Sequence, residues 1–175
     1  PEVGIGLVNT GSYVSGGRDL GYTLRIGNVT LPALLTTNRP SNWISGAGAG
    51  WIAPAPDQVL GSAAGNYSYD IAFDLTGTDA STAVIEGVWS AEDAVRIRFN
   101  NQLVYTYSPT GLPANDAMGV LHPFRIDSGF QTGSNVLTFE VINSVTPNVA
   151  NTPTGLRVEF TRATVKSAAA AQIPV

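Results

Sequence analysis

Five large apolar side chains fall at every second position from Tyr67: Tyr67, Tyr69, Ile71, Phe73 and Leu75, with Ser68, Asp70, Ala72 and Asp74 between them. Period two over this length predicts a strand with one face buried. Gly65-Asn66 ahead of it and Thr76-Gly77-Thr78-Asp79 behind it carry turn chemistry. The pattern returns over residues 82–89, ending on Trp89, and in Val95, Ile97 and Phe99, which alternate with Arg96 and Arg98. It returns again in Leu103, Tyr105 and Tyr107, over residues 136–142, and over 156–165, where Leu156, Val158 and Phe160 oppose Arg157, Glu159 and Thr161. A weaker strand is predicted over residues 20–26 and an N-terminal one over 3–8. No stretch has the 3.6-residue period of an amphipathic helix, and the alanine run 168–171 is too short to be helical alone. About nine strands with frequent Gly, Pro and Asn between them predict an all-β fold, a two-sheet antiparallel β-sandwich of jelly-roll-like form with no substantial helix. The expected organisation is one domain over residues 1–166 and a short tail over 167–175. Residues 32–65 break the pattern and read as long loops around one or two short strands carrying Trp43 and Trp51.

One register stays open. If Asn100-Asn101 is a two-residue hairpin turn, Leu103, Tyr105 and Tyr107 share the outer face with Arg96 and Arg98, forming an aromatic and cationic surface. If the loop has three residues, the tyrosines join Val95, Ile97 and Phe99 inside, because a slip of one residue moves every side chain to the other face. The hydrophobic pattern favours the three-residue loop.

Composition narrows the partners. Charged residues make up 13% of the chain, against about 25% in average soluble proteins. The formal net charge is −4 and no basic stretch is present, so neither a nucleic acid nor an anionic membrane surface is an expected partner. No apolar stretch is long enough to span a bilayer as a helix. The absence of cysteine removes disulfides, thiolate catalysis and zinc–thiolate sites together. The chain opens at Pro1 and closes on Val175 in the manner of a mature product with its addressing segments removed.

Few groups suit catalysis. His122 is the single histidine; Pro123 follows it, no nucleophile elbow accompanies it, and it reads as a loop or strand-edge residue. Glu92 and Asp93 are the nearest approach to a carboxylate pair, but neighbours in a strand point to opposite faces. Glu140 and Glu159 read as parts of a solvated sheet face. No cofactor is expected; Asp74, Thr76 and Asp79 are loose candidates for a structural calcium ion, without the spacing of an Asp-rich loop. Trp89, at the end of an alternating strand, reads as core. Trp43 and Trp51 lie among loops, and with Tyr105 and Tyr107 they are the candidate platforms for stacking on sugar rings.

The blocks Gly65-Asn66-Tyr67-Ser68-Tyr69-Asp70-Ile71-Ala72-Phe73-Asp74-Leu75-Thr76-Gly77 and Thr82-Ala83-Val84-Ile85-Glu86-Gly87-Val88-Trp89 resemble a domain common in PEP-CTERM sorting-signal proteins of Gram-negative bacteria. Asp93 before the strand and turn from Arg96 to Asn101, Pro123-Phe124-Arg125-Ile126 with Ser128-Gly129-Phe130, Gly133-Ser134-Asn135-Val136-Leu137 and Asn151-Thr152-Pro153-Thr154-Gly155-Leu156-Arg157-Val158 follow in the same order. More loosely, these blocks are similar to galactose-binding-like jelly rolls. The resemblance implies secretion, processing by an exosortase-type system and a place outside the cell or on its surface, often beside extracellular polysaccharide. It supplies no catalytic residues. The Pro-Glu-Pro signal, apolar helix and basic end of such proteins are not in this sequence.

Two roles follow as expectations, neither enzymatic. The first is a structural subunit of a matrix, surface layer or filament that associates with itself through strand edges, with Val3, Ile5, Leu7, Ile173 and Val175 as candidate contacts. The alternative is a lectin-like module that binds extracellular polysaccharide through Trp43, Trp51, Tyr105 and Tyr107.

Overall fold

The computed structural model describes residues 1–110, 116–144 and 150–168. Fourteen strands and one helical turn are formed: β1 (Glu2–Gly4), β2 (Val14–Ser15), β3 (Arg18–Ile26), β4 (Val29–Leu35), β5 (Ile52–Ala53), β6 (Ser62–Ala63), β7 (Gly65–Asp74), β8 (Thr78–Glu92), β9 (Ala94–Phe99), β10 (Gln102–Tyr107), α1 (Asp116–Gly119), β11 (His122–Ile126), β12 (Ser134–Asn143), β13 (Asn151–Thr152) and β14 (Gly155–Ser167). The fold is all-β, as the alternation predicts, and its ladders are antiparallel. The strand count exceeds the expected nine because β2, β5, β6 and β13 are two-residue pieces too short to show a period.

The two layers are not separate sheets. One hydrogen-bonded path runs β10-β9-β12-β7-β3-β4-β5-β14-β8-β11. It turns over at β5, which pairs with β4 through Leu34 and Leu35 and with β14 through Leu156. The layers then close on one another as a sandwich. Phe124 of β11 meets Phe139 of β12 edge-on at 5.5 Å, and Trp89 of β8 meets Tyr107 of β10 at 5.1 Å. Between them lie the alternating residues of the sequence pattern, among them Tyr69, Ile71, Ile97, Leu137 and Val158, all buried. Burial of a side chain of this size stabilises by about 1.5–3 kcal/mol.

Two departures have local causes. The strand over residues 29–35 contains Pro32, which pairs with Thr23 of β3, while β5 reaches only Leu34 and Leu35 on the other side. Pro32 therefore sits beside a free edge, where its missing N–H interrupts no ladder. Neither Trp43 nor Trp51 is on a strand; the short strands of that region are β5 and β6.

The N-terminal segment is engaged within its own chain. Glu2, Val3 and Gly4 pair with Lys166, Val165 and Thr164 of β14. The Ile5 amide donates to Ala163 O at 2.9 Å, and the Phe160 amide donates to Asn9 Oδ1 at 2.7 Å. Ile5 is buried and Leu7 packs against the core. β14 takes one edge of this segment while Ile5 and Leu7 pack inward, so of the candidate contacts Val3, Ile5 and Leu7 only Val3 is exposed. Ile173 and Val175 lie outside the described residues, as does most of the 167–175 tail; Ser167 is the last residue of β14.

Candidate functional site

The open hairpin register resolves in a way that combines both alternatives. Asn100 and Asn101 form a two-residue turn with φ of 48° and 67°, the left-handed pair a type I′ turn requires and asparagine tolerates. Gln102 faces Phe99, and Leu103 faces Arg98 on the outer side. The register then shifts, so that Tyr105 faces Ile97 and Tyr107 faces Val95. One extra residue returns both tyrosines to the core face. Tyr107 is buried, and Tyr105, at 36% exposure, lies edge-on to Trp89 at 6.1 Å. An outer aromatic surface beside Arg96 and Arg98 does not form; those guanidinium groups lie 3.5 and 3.7 Å from Glu140.

The irregular segment folds over one end of the sandwich. Its tryptophans hold it there. Trp51 donates its indole N–H to Ile44 O at 2.8 Å, and the Ile44 amide donates to Met118 O at 2.8 Å. Trp43 and Trp51 pack ring on ring at 4.2 Å between centroids, and each is only 2% exposed. The expectation of an open tryptophan platform is thus corrected: each indole gives one face to the other and the rest to the protein, so neither is free to stack on a sugar ring. Trp89 is core, as expected, with His122 stacked against it at 4.6 Å.

A two-lobed cavity opens beside this pair. One lobe, about 300 Å³, is lined by Thr37, Asn38, Pro40, Ser41 and Trp43. The other, about 220 Å³, reaches Thr36, Gly50, Trp51 and Arg157. Arg39 and Ser45 wall both lobes, and Arg39 Nη2 donates to Ser45 Oγ at 2.8 Å. The Arg39 Nε–H is buried and has no acceptor. Arg157, by contrast, is neutralised by Glu159. Among the described residues no acidic side chain forms an ion pair with Arg39. A guanidinium with an unused donor in a cavity lined by hydroxyl, amide and indole groups is equipped to receive an oxygen acceptor, best an anionic one.

Under Trp43 lies a carboxyl pair. Its indole N–H donates to Glu92 Oε2 at 2.7 Å. Asp93 follows β8 outside any strand, so the rule that neighbours in a strand point apart does not apply to the pair. The Ser144 amide donates to Asp93 Oδ2 at 2.9 Å, and Thr154 Oγ1 donates to the Glu92 carbonyl at 3.0 Å. Burial raises Glu92 to about 7; the Trp43 N–H opposes this, and the adjacent Asp93 charge adds to it. Asp93 is raised by burial as well, against the pull of its donors.

The calcium candidates are turn residues. Asp74 Oδ1 accepts from the Thr76 amide at 2.8 Å, and Asp79 Oδ1 accepts from Ser81 Oγ at 2.6 Å. Among the described residues no group of three or more His, Asp or Glu is arranged to hold a metal ion.

Sequence reasoning passed over Arg39. The available signal was that it is the one basic residue between positions 36 and 64, in a stretch otherwise rich in neutral polar groups.

No protein-family model matches the chain. No match is found among curated proteins. Among solved structures, the chain is similar to CBM35 from Paenibacillus barcinonensis, at 16% identity and a TM-score of 0.40 over 81% of this chain and 93% of that one. It is similar to a family 35 carbohydrate-binding module from an environmental isolate, at 12% identity and 0.38 over 84% and 98%. It is also similar to 22% of an FMN-binding β-glucuronidase from Facaelibacterium prausnitzii L2-6, at 19% identity and 0.39 over 83% of this chain. Likeness at this level supports no assignment of a ligand or an activity.

Proposed function

We propose that this chain is a non-catalytic extracellular module that binds polysaccharide at the loop end of the sandwich, in the cavity around Arg39. One observation carries the reading: an arginine that no acidic side chain pairs with among the described residues, in a cavity walled by Thr37, Asn38, Ser41 and Ser45 and by Trp43 and Trp51. Hydroxyl and amide groups beside it match the hydroxyls of a sugar, and the uncompensated charge favours a polymer bearing carboxylates. The extracellular address rests on the resemblance to PEP-CTERM sorting-signal proteins. The test is retardation of the protein in native gels cast with polygalacturonate, a neutral galactomannan or no polymer, repeated with Arg39→Gln. Retardation by polygalacturonate that weakens in the variant supports the proposal; equal mobility in every gel overturns it.

A second reading, a self-associating matrix or filament subunit, is favoured by a different surface from the one the sequence pointed to. Edge strand β10 pairs only with β9 and exposes Leu103 at 53% and Val104 at 45%. An apolar strand edge is a template for pairing with another chain. Light scattering across a concentration series, with Val104→Lys as the control, separates the two: growth that the lysine abolishes supports self-association, and a constant monomer mass removes it.

A further inference from the structure

We propose that the turn over residues 57–61 is an apolar lip of the Arg39 site, and that it selects acidic polysaccharide whose sugars carry O-acetyl groups. The inference rests on the binding reading and deepens it by naming the class of polymer.

The turn is continuous with the cavity wall. Thr37 and Asn38 line the larger lobe and donate their amides to Pro56 O at 2.9 and 3.2 Å. The Gln58 amide donates back to Asn38 O at 2.8 Å, and Asn38 Nδ2 donates to Asp57 Oδ2 at 3.0 Å. Asn38 and Asp57 thus form a parallel bridge. Residues 56–58 run beside the wall at one strand spacing, about 5 Å.

The turn is held from several sides. Asp57 Oδ1 accepts from the amides of Val59 and Leu60 at 3.0 and 3.2 Å. Gln58 is buried; its side chain donates to Ala55 O and accepts from the Thr154 amide, both at 2.9 Å. Gly61 has a φ of 72° and lies so close to β13 that a Cβ there would stand 2.8 Å from the Thr152 backbone. This framework presents two aliphatic side chains to water. Val59 is 58% exposed, and Leu60, at 75%, is the most exposed large apolar side chain among the described residues. A surface already fixed in this way loses little further freedom when a ligand meets it.

The chemistry of the tip decides the ligand. The Val59 and Leu60 amides are already bonded to Asp57. A sugar hydroxyl set against these side chains would therefore lose water without gaining a donor. An O-acetyl group reverses the balance: the ester replaces the O–H with a methyl and leaves the sugar's carboxylate free for Arg39. The ester arm also carries that methyl clear of the ring, as a lip set off from the cavity wall requires. Burial of one methyl is worth roughly fourfold in affinity.

The experiment measures retardation of the full chain in native gels cast with polygalacturonate or with O-acetylated polygalacturonate, both with free carboxylates. The expected dissociation constant is about fourfold lower for the acetylated polymer. Leu60→Asn and Val59→Thr each shrink that preference, and Arg39→Gln weakens binding to both polymers. Val29→Thr, an equally exposed site at the opposite end of β4, changes neither. Equal retardation by the two polymers in the unmodified chain, or a preference that survives both tip variants, overturns the lip. If that equal retardation still weakens in Arg39→Gln, the binding reading stands without it; no retardation by either polymer removes both. Sedimentation with phosphatidylcholine–phosphatidylglycerol vesicles that Leu60→Asn abolishes assigns the tip to a lipid surface and also overturns the proposal.

Discussion

The indole N–H of Trp43 donates to Glu92 Oε2 at 2.7 Å across 49 positions of sequence. This one bond joins the irregular loop to the end of the longest strand. Trp43→Phe keeps most of the ring contact with Trp51 and removes the donor. The expected loss is about 1–2 kcal/mol in urea unfolding, with the Glu92 titration displaced further upward. A variant as stable as the original would mean the bond contributes nothing.

Raised carboxyls set a pH dependence of stability. Glu92 titrates near 7 in the fold against an ordinary value of 4.5. The folded form therefore holds a proton that the unfolded chain gives up, and stability falls as pH rises between about 4.5 and 7. Burial raises Asp19 and Asp93, which act in the same direction. Thermal melts at pH 5 and pH 8 should give the lower Tm at pH 8, and Glu92→Gln should reduce the difference. A Tm that climbs across this range would contradict the assignment.

The proposed binding site assigns Arg39 to the ligand rather than to folding. Arg39→Gln removes a buried N–H that has no acceptor, so unfolding free energy should change by no more than about 0.5 kcal/mol. Loss of a charge-assisted contact to ligand is worth about 1.5–3 kcal/mol, or roughly tenfold to more than a hundredfold in affinity. Calorimetry against oligogalacturonate, run beside a urea melt, reads both quantities; a large stability loss would make Arg39 a structural residue.

The two asparagines of the β9–β10 turn are not equivalent. Asn100 accepts from the Val136 amide through its side chain at 2.9 Å and donates to Gly129 O at 3.0 Å, joining its turn to β12 and to the loop before it. Asn101 has no such bonds among the described residues and needs only its positive φ. Asn100→Gly should cost about 1–3 kcal/mol, whereas Asn101→Gly should be neutral or slightly stabilising. Equal effects in denaturant melts would remove the distinction.

The alternating strands were legible because their signal is local. Tyr67 to Leu75, Val95 to Phe99 and Leu156 to Phe160 each carry enough side chains at period two to fix which face is buried, and the structure buries those faces. The Asn100-Asn101 turn was one of two readings the residues allowed. The shift after Leu103 was not legible, since a bulge leaves no mark in composition and only the demand of the core for Tyr105 and Tyr107 places it.

The sequence by itself determined the all-β class, the buried faces and the low content of charge. The tertiary structure decided everything at the loop end. Trp43 and Trp51 are eight residues apart in a stretch without period, and only the folded loop stacks them on each other instead of exposing them. Glu92 and Asp93 look like an ordinary strand end until the corner after β8, Trp43 and Ser144 close around them. That Arg39 has its Nε–H buried without an acceptor is likewise visible only in the fold. Periodicity reports the neighbours a residue has along its own strand; burial and unmet bonding depend on segments brought together from distant parts of the chain.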